Sequence, residues 1–540
     1  MPPIRLSRAS IIATLGPASQ SPDVVRGLIR AGVSIFRLNF SHGALADHAA
    51  RLATVRAVAD ELGVPVGVLG DLPGPKIRCG VVPAPGIELA TGADFLIDPS
   101  RREALPADAS RRPGVAVLGC TYAAITSEVR PGQRVLLDDG SVRALAVAPE
   151  PGDPPGCLRC RVISGGVVAS SKGINLPETE LSIPAVGPRD WECARWAIEH
   201  SLDFVAMSFV RTAGEVAQLQ ARLGELAVDV DNAPPMPVVA KIEKPQAVAG
   251  IEAIVRQADA IMVARGDLGV EMDIAQVPVA QKHVIATAQR WGRPCIVATE
   301  MLQSMVTRST PTRAEASDVA NAIFDGADAV MLSAESAVGA HPVLVVETMA
   351  RIVVAAEARL ASLPAWPTPP ERLLGPEAPG HPTAALAHAA WHLAQGVRAK
   401  LVVCWSQTGG GARYLSQTGF RVPIVAYSSN PLATRRMALL GGVRPMSTEA
   451  PPATHEPGSS APADALAWWN RRVDRDVQRL GWAEPGEAIV LMAGLPLGTR
   501  ATTNLLAIHR VGDARSGFMA RGLGSGQAAP PANHAQGAHP

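Results

Sequence analysis

The chain has 540 residues, 47% hydrophobic and 18% charged, with 50 Lys and Arg against 49 Asp and Glu for a formal net charge of +1. This composition excludes a largely disordered chain, and the near-neutral balance argues against a protein built to coat nucleic acid or an acidic membrane. The length exceeds one small core and predicts roughly two to four domains. Seven cysteines without disulfide-framework spacing fit a reduced setting, and the only CxxC, Cys157 with Cys160, reads as strand or turn sequence. No apolar run reaches the roughly 18 residues that span a bilayer, and MPPIRLSRAS lacks a secretory apolar core, so a cytoplasmic location is expected.

Short runs rich in Val, Ile and Leu alternate with amphipathic stretches, the pattern of a parallel α/β fold. In chain order the predicted strands are SIIATLG (10–16), VSIFRLNF (33–40), PVGVLGD (65–71) and LDFVAMSFV (202–210), then PVVAKIEK (237–244), AIMVARGD (260–267), PCIVATEM (294–301) and ADAVMLSAE (327–335). The first intervening helix starts with Ser21 as N-cap, Pro22 and Asp23, and ends at Ala31-Gly32. Eight such units predict a (β/α)8 TIM barrel, whose chemistry sits where the strands end. Between the third and fourth runs, turn signals such as PAPG, RPGQ and EPGDPPG predict a small all-β lid domain inserted in a βα loop. A Pro-rich linker then leads to a second α/β region containing KLVVCWS and VPIVAYSS. The expected organisation is barrel (1–73), inserted β lid (74–183), barrel resumed (184–362), linker (363–382), C-terminal α/β domain (383–515) and disordered tail (516–540). Segment 447–464 reads as a flexible loop.

Polar residues gather at the C-terminal ends of these apolar runs: Arg37, Asn39 and Ser41; Asp71; Lys241 and Glu243; Asp267; Thr299; Ser333 and Glu335. A spacing of two puts 37, 39 and 41 on one strand face, and likewise 241 and 243, while Lys244 has the opposite parity and is expected outside the core. The chain uses six Lys against 44 Arg, so a Lys at a strand end stands out. Lys is a compact point charge that enters tight oxygen-lined spaces, where Arg is a flat fork. Glu243 and Asp267 then form either an acid/base couple or a pair of oxygen ligands for Mg²⁺. The adjacent ammonium favours the metal, since a divalent cation and a point charge together would clamp a transferring phosphoryl group.

RLNFSHG (37–43), DLPGPKIR (71–78), SSKGINLP (170–177), MSFVR (207–211), KIEKPQAVAGIEAI (241–254), IMVARGDLGVE (261–271), ATEMLQSM (298–305) and PTRAEASDVANAIFDGADAVMLSAES (311–336) resemble, in order, the motifs of the pyruvate kinase family. The resemblance implies Mg²⁺-dependent (or Mn²⁺-dependent) phosphoryl transfer from phosphoenolpyruvate to ADP, giving pyruvate and ATP in glycolysis. It implies that Glu243 and Asp267 hold the metal, that Lys241 neutralises the moving phosphoryl group and that Arg37 pairs with the phosphate. The backbone at Gly266 and Asp267 would receive the substrate carboxylate, and Thr299 would help deliver the proton that makes pyruvate. Asn39, His42, Arg78 and Lys172 map to nucleotide contacts. The family's monovalent-ion site maps to Asn39, Ser41, Asp71 and the Leu72 carbonyl. Where K⁺-dependent members carry Glu, this chain has Lys76, so activity without K⁺ is expected.

Glu300 and Gln303 stand where the family usually has Gln and Glu, an exchange that either moves a charge beside Thr299 and alters proton delivery or its pH optimum, or is silent if the two side chains face each other. In WSQTGGGAR (405–413), Ser406, Thr408, Gly409 and Gly410 form either a tight turn or a phosphate cradle. The resemblance places an allosteric sugar-phosphate or nucleotide effector in this region and implies a homotetramer; from the charge balance and the lack of a long apolar run, neither nucleic acid nor membrane is expected as a partner. Two rivals differ in what they require. A regulatory paralogue without turnover would have lost Lys241, Glu243, Asp267 or Thr299. A lyase or aldolase acting on a Mg²⁺-bound enolate would need neither Lys172 nor the GPKIR loop.

Overall fold

A computed structural model describes residues 7–110, 114–230, 233–363, 382–452, 461–499 and 502–519. Ser10–Thr14, Val33–Asn39, Gly67–Asp71, Phe204–Met207, Val238–Ile242, Ala260–Ala264, Cys295–Ala298 and Ala329–Leu332 pair in parallel with their chain neighbours, and the eighth strand closes onto the first. This is the (β/α)8 barrel that the alternating pattern predicts. Each strand is shorter than its apolar run, and Glu243, Asp267 and Thr299 lie just past the last residue of theirs. The barrel interior is filled by Ile12, Ile35, Leu69, Val239, Met262, Ile296 and Met331, so it is a packed core and not a pore. The first helix, Pro22–Ala31, is capped as expected: Ser21 accepts from the Val24 N–H, and Gly32 ends it at φ 119°, a conformation that an L side chain would strain.

Between the third and fourth barrel strands the chain folds into antiparallel-rich β structure with its own core around Phe95, Leu137, Val142 and Cys160. One sheet has six strands running from Ile174–Asn175 at one edge to Ala116–Gly119 at the other, and a second pairs Ile87–Leu89 with Gly166–Val168. After the barrel, a five-stranded sheet is ordered Val443–Ser447, Ile424–Ser428, Val402–Trp405, Ala488–Ala493, Leu505–Arg510, with only the last strand antiparallel to its neighbour. Helices Pro382–Gly396 and Gly410–Gln417 contribute to the core on one face, and Ala461–Arg479 to that on the other. Residues 364–381 of the expected linker, 453–460 of the expected loop at 447–464 and 520–540 of the expected tail at 516–540 lie outside the described residues, while helix Ala461–Arg479 begins within the expected loop and the 3-10 turn Gly517–Met519 lies within the expected tail. All seven cysteines are free thiols. Among the described residues, no helix is long and apolar enough to cross a membrane.

The C-terminal unit plugs the N-terminal mouth of the barrel. Ala438 and Leu439 join the interior barrel cluster, and the Ser10 hydroxyl donates to the Ala438 carbonyl at 2.7 Å. Asp203, fully buried, ties the two units together. Its Oδ1 accepts from Arg435 Nε at 2.7 Å, and its Oδ2 from the Val68 N–H at 2.8 Å and Arg56 Nη2 at 2.9 Å. Asp203→Ala would strand buried cationic and amide donors, so a loss of about 3–5 kcal/mol is expected. Urea unfolding followed by intrinsic Trp fluorescence reads this as a lowered first midpoint; an unchanged midpoint would show that the junction does not depend on Asp203.

Candidate active site

At the C-terminal end of the barrel, Lys241 projects from the fifth strand into a ring of oxygen atoms. Its Nζ lies 2.8 Å from Glu243 Oε1, 3.3 Å from Asp71 Oδ1 and 2.8 Å from Ser208 Oγ. Burial works against the ammonium, but Asp71 and Glu243 outweigh it, and Lys241 titrates above its ordinary range. Asp71, 1% exposed, is also held by Arg37, whose Nε and Nη2 both lie 2.7 Å from Oδ2. Burial would raise this carboxyl, yet Lys241 and Arg37 together hold it below the usual carboxylate range. Arg37 Nη1 further donates to Thr14 Oγ1 at 3.1 Å. The ring is therefore a preorganised set of charges in a dry site, the kind that needs little rearrangement to meet new charge.

Glu243 differs from Asp71. Burial, opposed by Lys241 and reinforced by Asp267, pushes its carboxyl up. Its Oε2 accepts the Phe209 N–H at 2.6 Å, and its Oε1 lies 2.8 Å from the Lys241 ammonium. A buried carboxylate with lone pairs to spare beyond these two contacts, and a second carboxylate at Asp267 near enough to act on it, fit a divalent cation. Among the described residues no cluster of three or more His, Cys, Asp and Glu is arranged to hold a metal. Two carboxylates are the number Mg²⁺ uses when substrate oxygens and water complete its octahedron.

The seventh strand ends in strained backbone, Thr299 at φ 66° and Glu300 at φ 55°. This turns the Thr299 hydroxyl toward the sixth strand, where Oγ1 accepts the Gly266 N–H at 2.7 Å and donates to the Ala298 carbonyl at 2.6 Å. Arg265 holds the strained pair: its Nη2 donates to the carbonyls of Thr299 and Glu300 at 2.9 and 3.2 Å, while Nη1 pairs with Asp318. Arg265 was not among the sequence candidates, because it begins helix Arg265–Glu271, where strand parity carries no information. Glu300 and Gln303 are both exposed, and no hydrogen bond joins them.

Above the ring, a cleft of about 280 Å³ opens between the barrel and the inserted sheets. His42, Lys76, Arg78, Lys172, Lys244 and Asp267 line it, so three of the four expected nucleotide contacts share one space. Arg78 Nη1 donates to the Ser171 carbonyl at 2.9 Å, and Lys172 pairs with Asp138 at 2.9 Å. Asn39, the fourth, is occupied locally, its Oδ1 accepting the Ser41 N–H at 3.2 Å.

One expectation changes here. Lys244 is not outside the core: the strand ends at Ile242, so its parity no longer applies, and Lys244 lies buried with Nζ 2.6 Å from Glu271 Oε1. Asn175 of the inserted unit donates to the same oxygen at 2.8 Å, joining lid to barrel. Lys76 is exposed with Nζ 5.9 Å from the centroid of the Phe209 ring, and it is Arg37 and Lys241 that form ion pairs with Asp71. The Leu72 carbonyl accepts from Ser208 Oγ at 2.7 Å. In the C-terminal unit, Thr408, Gly409 and Gly410 border a cavity, whereas the Ser406 hydroxyl is buried and accepts the Ala412 N–H at 3.1 Å.

Comparison with known proteins follows the same division of the chain. The model of the pyruvate kinase barrel domain matches residues 6–346, and that of the pyruvate kinase alpha/beta domain matches residues 384–509. The chain is 38% identical over 510 residues to a pyruvate kinase of Mycobacterium intracellulare, covering 94% of this chain and 99% of the relative. It is 39% identical over 514 residues to one of Agrobacterium vitis, covering 94% and 98%. The chain belongs to the pyruvate kinase family. A more distant relative, the pyruvate kinase of Sporosarcina psychrophila, is 34% identical over 522 residues, 97% of this chain and 83% of the relative. Membership in the pyruvate kinase family gives the ring of Lys241, Asp71, Arg37 and Glu243 a reaction to be tested against.

Proposed function

We infer that the chain transfers the phosphoryl group of phosphoenolpyruvate to ADP, with Mg²⁺ or Mn²⁺ held by Glu243 and Asp267. The observation that carries this reading is the buried Lys241 ammonium held between the Asp71 and Glu243 carboxylates, with Asp267 near enough to act on Glu243. A bound divalent ion would supply Lewis-acid stabilisation of the oxygens that gain charge. Lys241 meets the phosphoryl group with a fixed positive charge as that group leaves its enol oxygen, and Arg37 is oriented by Asp71 and Thr14 to pair with a phosphate oxygen. The Gly266 N–H, now satisfied by Thr299 Oγ1, exchanges that partner for the substrate carboxylate. The Thr299 hydroxyl, released from the same contact, then lies beside the enolate carbon that takes up a proton. Asn39, His42, Arg78 and Lys172 contact the nucleotide phosphates at the cleft.

Monovalent-ion independence is part of the proposal. Lys76 borders the cleft, and a lysine ammonium extended from its place over Phe209 would supply the positive charge that K⁺ supplies elsewhere. Activity in tetramethylammonium buffer is expected to lie within about twofold of that in KCl, measured by coupling pyruvate to NADH oxidation; a tenfold or larger rise on adding K⁺ would reject it. The C-terminal unit is proposed to carry the effector loop, and the assembly to be a homotetramer. The same coupled assay, run on purified protein with phosphoenolpyruvate, ADP and Mg²⁺, tests the reaction itself. Folded protein that forms no ATP under these conditions would leave the non-catalytic paralogue as the better reading.

A further inference from the structure

The loop after the seventh strand is held in a conformation that its own residues disfavour. Thr299 and Glu300 lie side by side at φ 66° and 55°, and a β-branched residue in this region is a genuine outlier. Downstream the loop is fixed by Glu335, fully buried, whose Oε1 accepts the Leu302 N–H at 3.1 Å and whose Oε2 accepts the Ser333 N–H at 2.7 Å. Upstream the support is Arg265. Its Nη2 reaches three consecutive residues: the Thr299 carbonyl at 2.9 Å, the Glu300 carbonyl at 3.2 Å and Met301 Sδ at 2.9 Å. Its Nη1 is anchored by Asp318 of helix Arg313–Phe324. Among the described residues, no other hydrogen bond reaches the two carbonyls.

The Thr299 hydroxyl has two partners: Oγ1 accepts the Gly266 N–H at 2.7 Å and donates to the Ala298 carbonyl at 2.6 Å. When a substrate carboxylate takes the Gly266 N–H, as the proposed function requires, the hydroxyl loses the first of these. What then fixes it is the Thr299 backbone, and that backbone is strained. Strain of this kind persists only where the surroundings over-determine it. Arg265 meets that need with a planar group, 9% exposed and paired with a carboxylate, that does not lose its proton.

We propose that Arg265, braced by Asp318, is a positioning residue for the proton step that follows phosphoryl transfer, an inference that rests on the phosphoenolpyruvate reading. In that step the carbon–carbon π pair of the enolate takes the Thr299 hydroxyl proton to form the methyl C–H bond. The oxygen keeps the O–H pair and regains a proton from water, which leaves hydroxide to the buffer. Arg265 acts only through the Thr299 backbone. Without its guanidinium, Thr299 and Glu300 turn out of the left-handed region and carry Oγ1 away from the carbon. Lys241, Arg37 and Glu243 do not touch Arg265, so phosphoryl transfer is spared.

Two rates on the full-length enzyme with Mg²⁺ separate the steps. Exchange of the pyruvate methyl hydrogens in D2O, followed by proton NMR, reads the proton step in reverse. Rapid-quench formation of ATP from phosphoenolpyruvate and ADP reads phosphoryl transfer, since an enolate released unprotonated becomes pyruvate in solution. Arg265→Met is expected to lower exchange about 10²-fold and ATP formation by less than about threefold. Arg265→Lys, which keeps a donor and the charge, regains part of the exchange. Asp318→Asn, a milder change at a half-buried position, lowers exchange relative to ATP formation by about threefold or more, and it decides the matter if Arg265→Met does not fold. Equal losses in both rates, or wild-type exchange in the folded variants, overturn the proposal and leave the kinase reading in place. Wild-type protein that forms no ATP removes that reading, and this role with it.

Discussion

Lys241→Met is expected to lower kcat on the order of 10³-fold or more while leaving phosphoenolpyruvate binding detectable. Methionine keeps the length and apolar stem of the side chain but deletes the charge that lies 2.8 Å from Glu243 and 3.3 Å from Asp71. The loss falls on the step in which the phosphoryl group is between two oxygens, because a fixed ammonium in a dry site stabilises charge that water would otherwise have to reorganise around. Lys241→Arg should not restore the rate, since a flat fork cannot take the place of a point charge among Asp71, Ser208 and Glu243. Both variants leave Glu243 in a changed field, so circular dichroism and thermal melting must show a folded protein first. A folded Lys241→Met enzyme that keeps a tenth or more of wild-type kcat would remove Lys241 from the mechanism.

Glu243→Gln should raise the Mg²⁺ concentration for half-maximal activity by at least about 10²-fold, since outer-shell partners alone cost 10- to 100-fold in metal affinity. The amide matches the carboxylate in shape but cannot satisfy its surroundings. Oε2 accepts the Phe209 N–H at 2.6 Å, and Oε1 faces the Lys241 ammonium at 2.8 Å. Whichever way the amide is turned, its NH₂ meets one of these two donors. The missing charge also removes half of the carboxylate pair that Glu243 forms with Asp267. Activity measured against Mg²⁺ and against Mn²⁺ would show this as a shifted curve, and an unshifted curve with normal kcat would take Glu243 out of the metal site.

Much of this site was legible in the sequence because strand periodicity fixes which side chains share a face. Lys241 lies inside its strand and Glu243 one residue beyond, and parity placed both at the mouth. The same rule failed one residue later. Pro245 starts a helix at once, with Lys244 as its N-cap in extended backbone, so the alternation stops and the side chain swings under the lid toward Glu271. Arg265 escaped for a related reason, since its role depends on main-chain carbonyls of a neighbouring loop. Asp203 with Arg435 was beyond reach because the two meet only when the C-terminal unit docks on the barrel floor. The family resemblance supplied roles for individual residues that no local pattern could supply.

The central claim, that Glu243 and Asp267 share one divalent ion beside Lys241, is tested most directly by electron paramagnetic resonance titration of Mn²⁺ in the presence of phosphoenolpyruvate. The wild-type protein should take up about one ion per chain, and Asp267→Asn and Glu243→Gln should each weaken that uptake by about tenfold or more. Uptake of the same stoichiometry and affinity in all three proteins would mean that the ion is held elsewhere and that the arrangement described here is not the catalytic centre.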